Sequence, residues 1–264
     1  MLSKVSKLMG YRLRNHDEEL GGVRDLYFDD ELWTIRYLVA DTGNWLTGRQ
    51  VLISPHAIVD VDSETEQISV NLSKKQIEDC PSSDSDRPIS REYEAVYSGY
   101  FGYPSYWCGP YMWGTYPYAG GAYALAVRPN AGPKVDEPSE PRKINHLRST
   151  HDVSGHHIMA SDGEIGHVKD FFVEDKTWAI RYLLVDTVNW WPGKKVLISP
   201  KWITGVSWSE SKVFVNLTRD LIQSSPEYTD SFPLDRQYED AIHQHYGEPG
   251  YWVKQSDAKQ PVEH

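Results

Sequence analysis

Two aspartates and two arginines recur at matched places in this chain. Asp25 and Arg36 come back as Asp170 and Arg181. A second set, Asp41, Asn44 and Trp45, returns as Asp186, Asn189 and Trp190, with a threonine after each aspartate. A carboxylate, an amide and an indole gathered at a turn have the chemistry of a ligand- or proton-handling site. They are equally the ingredients of an Asx-rich corner, in which a short polar side chain bonds its own backbone, and we take the corner as the reading. The Asp–Arg sets are expected to be structural ion pairs. A carboxylate held by a guanidinium has a depressed pKa and is a poor general base.

Other reactive residue types do not assemble into a known pattern. His151, His156, His157 and His167 cluster, but none has a histidine counterpart in the first copy, and adjacent strand residues such as His156 and His157 point to opposite faces. His243 and His245 form a second such pair. Ser54 and Ser199 precede prolines with no duplicated histidine to activate them. No Gly-rich loop leads from a strand into a helix, so nucleotide binding has no support. Cys80 and Cys108 face Ser225 and Val253 in the other copy and make neither a disulfide framework nor a metal pattern. No cofactor is called for.

The elements that carry these residues are set by an internal repeat. Trp33-Thr34-Ile35-Arg36-Tyr37-Leu38 returns as Trp178-Ala179-Ile180-Arg181-Tyr182-Leu183, a constant offset of 145 residues that needs no gap. It extends from Gly21 and Gly166 to Tyr106-Trp107 and Tyr251-Trp252. In each copy an aromatic and β-branched run (Gly22–Phe28, His167–Val173) reads as a strand. The glycine before it marks a bulge or a close backbone approach. A hairpin loop over Asp29–Leu32 would pair Phe28 with Trp33 and set Asp25 opposite Arg36, and likewise Asp170 opposite Arg181.

The central strand is apolar on one face and becomes apolar on both only towards its end. Val51-Leu52-Ile53 follows as a buried strand stopped by Pro55. Ile58–Val61 and Gln67–Leu72 read as two further strands. Ser73 to Gln76 is a capping box opening a short helix, and Thr218 keeps only the cap. Beyond Pro88, Tyr93, Val96, Tyr97 and Tyr100 fall on one helical face. The resulting class is mainly β: two small antiparallel barrels in tandem, each with a short helix and an aromatic tail.

The motif Gly-x-Val-x-Asp, then Trp-x-Ile-Arg-Tyr-Leu-x-x-Asp-Thr and Val-Leu-Ile-Ser-Pro, resembles the PRC-barrel domain over about residues 8–80 and 153–225. That domain is shared by the cytoplasmic part of the photosynthetic reaction-centre H subunit and the C-terminal domain of RimM-type ribosome-maturation factors. The resemblance implies a bacterial docking or assembly module with no cofactor of its own. It connects the chain to photosynthetic complexes or RNA metabolism through the family alone. The chain lacks the H subunit's membrane helix and the N-terminal domain of the ribosome factor, and most resembles stand-alone double-barrel proteins.

Bulk properties narrow the partners. A net charge of −11 lacks the basic footprint that nucleic acid or anionic lipid requires. Mean hydropathy is −0.57, and no apolar run approaches the ~18 residues of a membrane span. The first residues lack a signal-peptide pattern, so a cytoplasmic protein is expected. The expected organisation is a first unit over residues 1–107 and a Gly/Tyr/Pro-rich linker over 108–150, with Trp113 and Tyr116 pinned on a domain surface. A second unit over 151–253 and a frayed end over 254–264 complete it.

We therefore expect a non-enzymatic interaction module whose partner is another protein or a second copy of the chain. The alternative is a small-ligand or anion sensor built on the Asp-Thr-x-Asn-Trp turns. The aromatic anchors for either are Trp45, Trp190, Trp191 and Trp202; Trp191 and Trp202 replace Leu46 and Ala57 and so lie where the copies differ. The second-copy histidines and the Tyr-rich linker are the other points of difference.

Overall fold

The chain opens on a short strand, β1 (Leu2–Lys4), a helical turn (Val5–Leu8) and β2 (Arg12–Arg14). Two long strands follow, β3 (Glu19–Asp29) and β4 (Thr34–Asp41). β5 (Val51–Ile53) runs into a 3-10 turn at Pro55–Ala57, whose first position suits proline because its missing N–H has no partner there. β6 (Ile58–Asp62), β7 (Gln67–Val70) and the helices Lys74–Glu78 and Arg91–Phe101 complete the first copy.

The second copy repeats this order. It has β8 (Leu147–Ser149), the turn Thr150–Val153, β9 (His157–Ala160), β10 (Gly163–Glu174) and β11 (Ile180–Asp186). β12 (Lys195–Ile198), β13 (Ile203–Ser207), β14 (Lys212–Val215) and the helices Arg219–Gln223 and Arg236–Tyr246 follow. This is a computed structural model, and it describes residues 1–46, 51–81, 89–119, 146–187, 193–231 and 234–253. The protein is mainly β, with two seven-stranded sheets, as expected of tandem barrels.

The described residues form two compact units. The first takes in those of Met1–Ser154 together with Asp170–Arg181, and the second those of Gly155–Lys169 and from Tyr182 onward. In the first unit the strand order is β5-β4-β3-β2-β7-β6, with β2 and β7 parallel and the other pairs antiparallel. β8 adds to the end of β3, with Leu147 opposite Asp29. β1 adds to the end of β10, with Leu2 opposite Glu174. These two additions are the same event at the repeat offset. Leu13, Leu20, Leu26, Phe28, Ile35 and Leu38 fill the core. In the second unit the order is β12-β11-β10-β9-β14-β13, around Ile158, Val168, Tyr182, Leu183 and Ile198.

Gly21 and Gly166 are the close approaches that the sequence indicated. A Cβ on Gly21 would lie 2.0 Å from the Asp41 carbonyl oxygen, and on Gly166 2.0 Å from that of Asp186. The capping box is complete at Ser73: its Oγ accepts from Gln76 N, and Gln76 Oε1 accepts from Ser73 N at 2.9 Å. Thr218 keeps only its half.

The hairpin register differs from the expected one. Asp29 Oδ1 accepts from Glu31 N and Leu32 N, and Trp33 turns the chain back with φ +50°. The loop therefore ends one residue later and Thr34 stands opposite Asp29. Bulges then leave Arg36 and Arg24 as extra residues. Asp25 ends opposite Val39, not Arg36, and the Asp25–Arg36 pair does not form.

Three further expectations are corrected. β4 is buried along Thr34–Ala40 on both faces, with the rings of Tyr106 and Trp113 lying over Arg36 on the face expected to be half-open. That helix buries Glu94, Tyr97, Ser98 and Phe101, a stripe one residue round from the apolar one, and Val96 is exposed. Trp113 is not on a surface: it is 1% exposed, and its Nε1–H donates to the Thr177 carbonyl at 2.8 Å.

Candidate functional site

Arg36 lies at the centre of a buried polar cluster in the first unit. As a bulge residue its side chain turns to Asp29, with Nε and Nη2 both donating to Asp29 Oδ2 at 2.9 and 2.6 Å. Nη1 donates to the Met112 carbonyl at 2.7 Å. The guanidinium lies 3.9 Å from the Tyr106 ring centroid and 4.7 Å from that of Trp113. Arg36 is 1% exposed, so this charge is carried by one carboxylate, one carbonyl and two ring faces.

Glu94 adjoins the cluster. Tyr106 donates to its Oε2 at 2.7 Å, Tyr37 at 3.3 Å, and Arg91 lies 3.2 Å from Oε1. Burial pushes its pKa up to about 7, against the opposing pull of Arg91, the two tyrosines and Arg36. His56 is buried beside it, stacked on Tyr103 at 5.1 Å and edge-on to Trp113 at 4.9 Å. Burial drives its pKa down to about 4, with the Arg36 charge acting the same way and a bond to the Ala119 carbonyl opposing. The neutral ring therefore donates from Nδ1 to Ala119, and Nε2 has no partner.

Together these contacts hold Tyr103–Ala119 down as a strap. Met112, Trp113 and Ala119 are fixed beneath it by Arg36, Thr177 and His56. Its outer side presents Tyr111 at 53%, Tyr116 at 37% and Tyr118 at 51% exposure.

The second unit keeps part of this plan. Tyr182 donates to Glu239 Oε1 at 3.1 Å, Arg236 stands 3.0 Å from Oε2, and the Arg236 guanidinium lies 3.9 Å from the Trp252 ring. His243, where the first copy has Ser98, contacts Tyr182 Oη at 2.9 Å. Burial lowers its pKa. The recurrent Tyr–Glu–Arg set thus docks each tail helix on its own central strand. Exchange of protons with solvent is not its geometry, since both glutamates are buried and multiply bonded.

The residues singled out from sequence separate. Asp25 accepts from Ser149 Oγ and Thr150 Oγ1, and Asp170 from Ser6. Arg181 pairs with Glu174 at 2.5 Å, not with Asp170. Asp29 and Glu174, one repeat apart, are the acids that bind the arginines. Asp41 is exposed and closes its own corner by accepting from Gly43 N at 2.9 Å, with Asn44 exposed beside it. Trp45 is half-buried and donates to the Leu20 carbonyl at 3.2 Å. Asp186 is buried and paired with Lys169 at 3.1 Å. The Asp41 corner thus offers a sensor site no support. Trp202, expected at a surface, is 5% exposed and packs on Tyr246 at 4.5 Å and His243 at 5.4 Å. Its larger ring fills space beside a histidine that the first copy lacks. Asn189, Trp190 and Trp191 lie outside the described residues.

Sequence reasoning passed over Glu94, Glu239 and the depth of Trp113. A signal existed for the glutamates: Tyr37, Arg91, Glu94 and Tyr106 all recur at the repeat offset. Trp113 has no described counterpart to flag it. Among the described residues no helix is long and apolar enough to cross a membrane, and no three His, Cys, Asp or Glu side chains come together as a metal site.

Comparison with known families places residues 2–77 in agreement with the PRC-barrel domain. The matched stretch runs from β1 to the helix Lys74–Glu78, the strands and cap described above. No curated protein matches the chain.

Proposed function

We propose that the chain is a non-catalytic protein-interaction module, in which the first PRC-type barrel displays the strap Tyr103–Ala119 to a protein partner. The observation that carries this is the fixed display of Tyr111, Tyr116 and Tyr118 above a buried Trp113. Tyrosines held in place give large amphipathic contact area with little ordering left to lose on binding. The polar cluster beneath supports the same reading, since Arg36, Asp29 and Glu94 are tied to one another and to the strap rather than turned to a substrate.

Affinity capture with the full chain, run beside the triple substitution Tyr111→Ser, Tyr116→Ser and Tyr118→Ser, tests this. The expected result is a protein retained by the native chain and lost by the triple variant at unchanged thermal stability. Equal retention of every captured protein by both would overturn it.

A further inference from the structure

A cleft of about 660 Å³ opens on the first unit, away from the strap. Its floor is apolar, with Val70 and Leu72 beneath and Val59, 68% exposed, at the side. Arg14, Gln67 and Gln76 stand around it. The orientations of these polar groups are fixed by bonds already made. Gln67 Oε1 accepts from Arg14 Nη1 at 3.1 Å, and Gln76 Oε1 accepts from Ser73 N at 2.9 Å and Ser73 Oγ at 3.0 Å. Asn15 is engaged on both sides of its amide: Oδ1 takes Asp17 N and Glu18 N, and Nδ2 donates to the Leu72 carbonyl. Donors remain on the rim: the unused guanidinium hydrogens of Arg14 and the NH2 groups of Gln67 and Gln76, beside the hydroxyls of Ser69 and Ser73 and the Asn71 amide. The one carboxylate on the rim, Asp17, is occupied by His16 Nδ1 at 2.8 Å, in solvent.

The other copy shows that the barrel does not need this lining. Arg14 is replaced by Met159, Ser69 by Phe214, Gln76 by Leu221 and Val59 by Thr204, while Val70 and Leu72 stay as Val215 and Leu217. The floor is common to both; the Arg14 guanidinium belongs to the first copy alone, and Gln67 is matched by Lys212. A guanidinium beside an apolar floor is complementary to an anionic oxygen acceptor with a short apolar neighbour, and it is the group best suited to a carboxylate.

We propose that this cleft binds a carboxylate carrying a small aliphatic group. The carboxylate sits on Arg14 and the Gln67 amide, and the aliphatic part lies against Val59. A peptide C-terminus and a free aliphatic acid share this chemistry.

Titration calorimetry on the full chain distinguishes them. The probes are N-acetyl-Ala-Val with a free C-terminus, the same peptide as its C-terminal amide, and isovalerate. The acid peptide should bind at least about tenfold more tightly than the amide. Isovalerate binding alongside it assigns the site to the free acid, and acid-peptide binding alone assigns it to a chain terminus. Failure of both acids to bind, or equal binding of acid and amide peptides, overturns the proposal. The variant Arg14→Met with Ser69→Phe carries residues that the equivalent positions of the second copy already hold, so the fold accommodates them. It should lose binding, whereas Arg12→Met, on the same strand but outside the lining, should keep it. Unchanged binding by the double variant also overturns the proposal. Because strap and cleft are separate, this result is independent of the tyrosine test.

Discussion

Ser149 Oγ donates to Asp25 Oδ2 at 2.5 Å, joining residues 124 apart in the chain. His151 N donates to the same carboxylate, as Ser6 N does to Asp170. The duplicated aspartates thus fasten the turn after each added strand. Asp25→Ala should lower stability by about 1–3 kcal/mol, since it leaves hydroxyls and a backbone N–H without their acceptor. Asp170→Ala, at a buried carboxylate, should stand at the upper end of that range. Urea denaturation of the two variants checks the order.

Arg36 and Asp29 share a buried ion pair at 2.6 Å. Arg36→Met alone strands the Asp29 charge and should cost about 3–5 kcal/mol. Adding Asp29→Asn removes the stranded charge while keeping an oxygen for the Glu31 and Leu32 amides. The double variant should therefore be more stable than Arg36→Met. A double-mutant cycle with no coupling between the positions would contradict this account.

Gly21 and Gly43 both have positive φ, yet only one is crowded. At Gly21 a Cβ meets the Asp41 carbonyl oxygen at 2.0 Å, whereas at Gly43 nothing lies within 4 Å. Gly43→Ala should cost about 1 kcal/mol, the conformational penalty alone. Gly21→Ala must part β3 from β4 and should cost several times that. Thermal unfolding of the pair separates the two effects.

The strap's buried titrating groups act in opposite directions. His56 has its pKa lowered from 6.5 to about 4, so the stability it permits is full above pH 6.5 and is lost as pH falls towards 4. Glu94 has its pKa raised from 4.5 to about 7, so the native state holds a proton that the unfolded chain releases, and stability falls as pH rises from 4.5 to 7. His56→Phe should flatten the acid limb. Glu94→Gln should gain stability relative to the native chain across pH 4.5–7 and hold a constant difference above it. Denaturation midpoints from pH 4 to 8 measure both.

Much of the fold was legible in the repeat and in strand alternation. Gly21, the Ser73 capping box and the end of β5 at Ser54-Pro55 follow from local chemistry, and local chemistry is what a sequence displays. The Arg36 partner was not legible. It depends on a left-handed tryptophan at position 33 and on a bulge, and a shift of this size re-aims every side chain after it. The tail-helix face was misjudged because apolarity was taken as the sign of burial, while Glu94 is buried by virtue of its partners. Trp202 was misplaced for a related reason: its neighbour His243 lies 41 positions on, and nothing local to either residue announces the contact.

The additions of β1 to β10 and of β8 to β3 set a timetable for synthesis. Leu2 is synthesised 172 residues before its partner Glu174. Tyr27–Asp29 likewise waits for Leu147–Ser149. Until then a nascent chain carries an unpaired β1 and an uncovered edge on β3, the kind of surface on which neighbouring chains join. Closure of pairs so far apart in sequence is slow, because the loop must be ordered before the contact rewards it. The protein's exposure to aggregation is therefore concentrated in the interval before its second copy emerges.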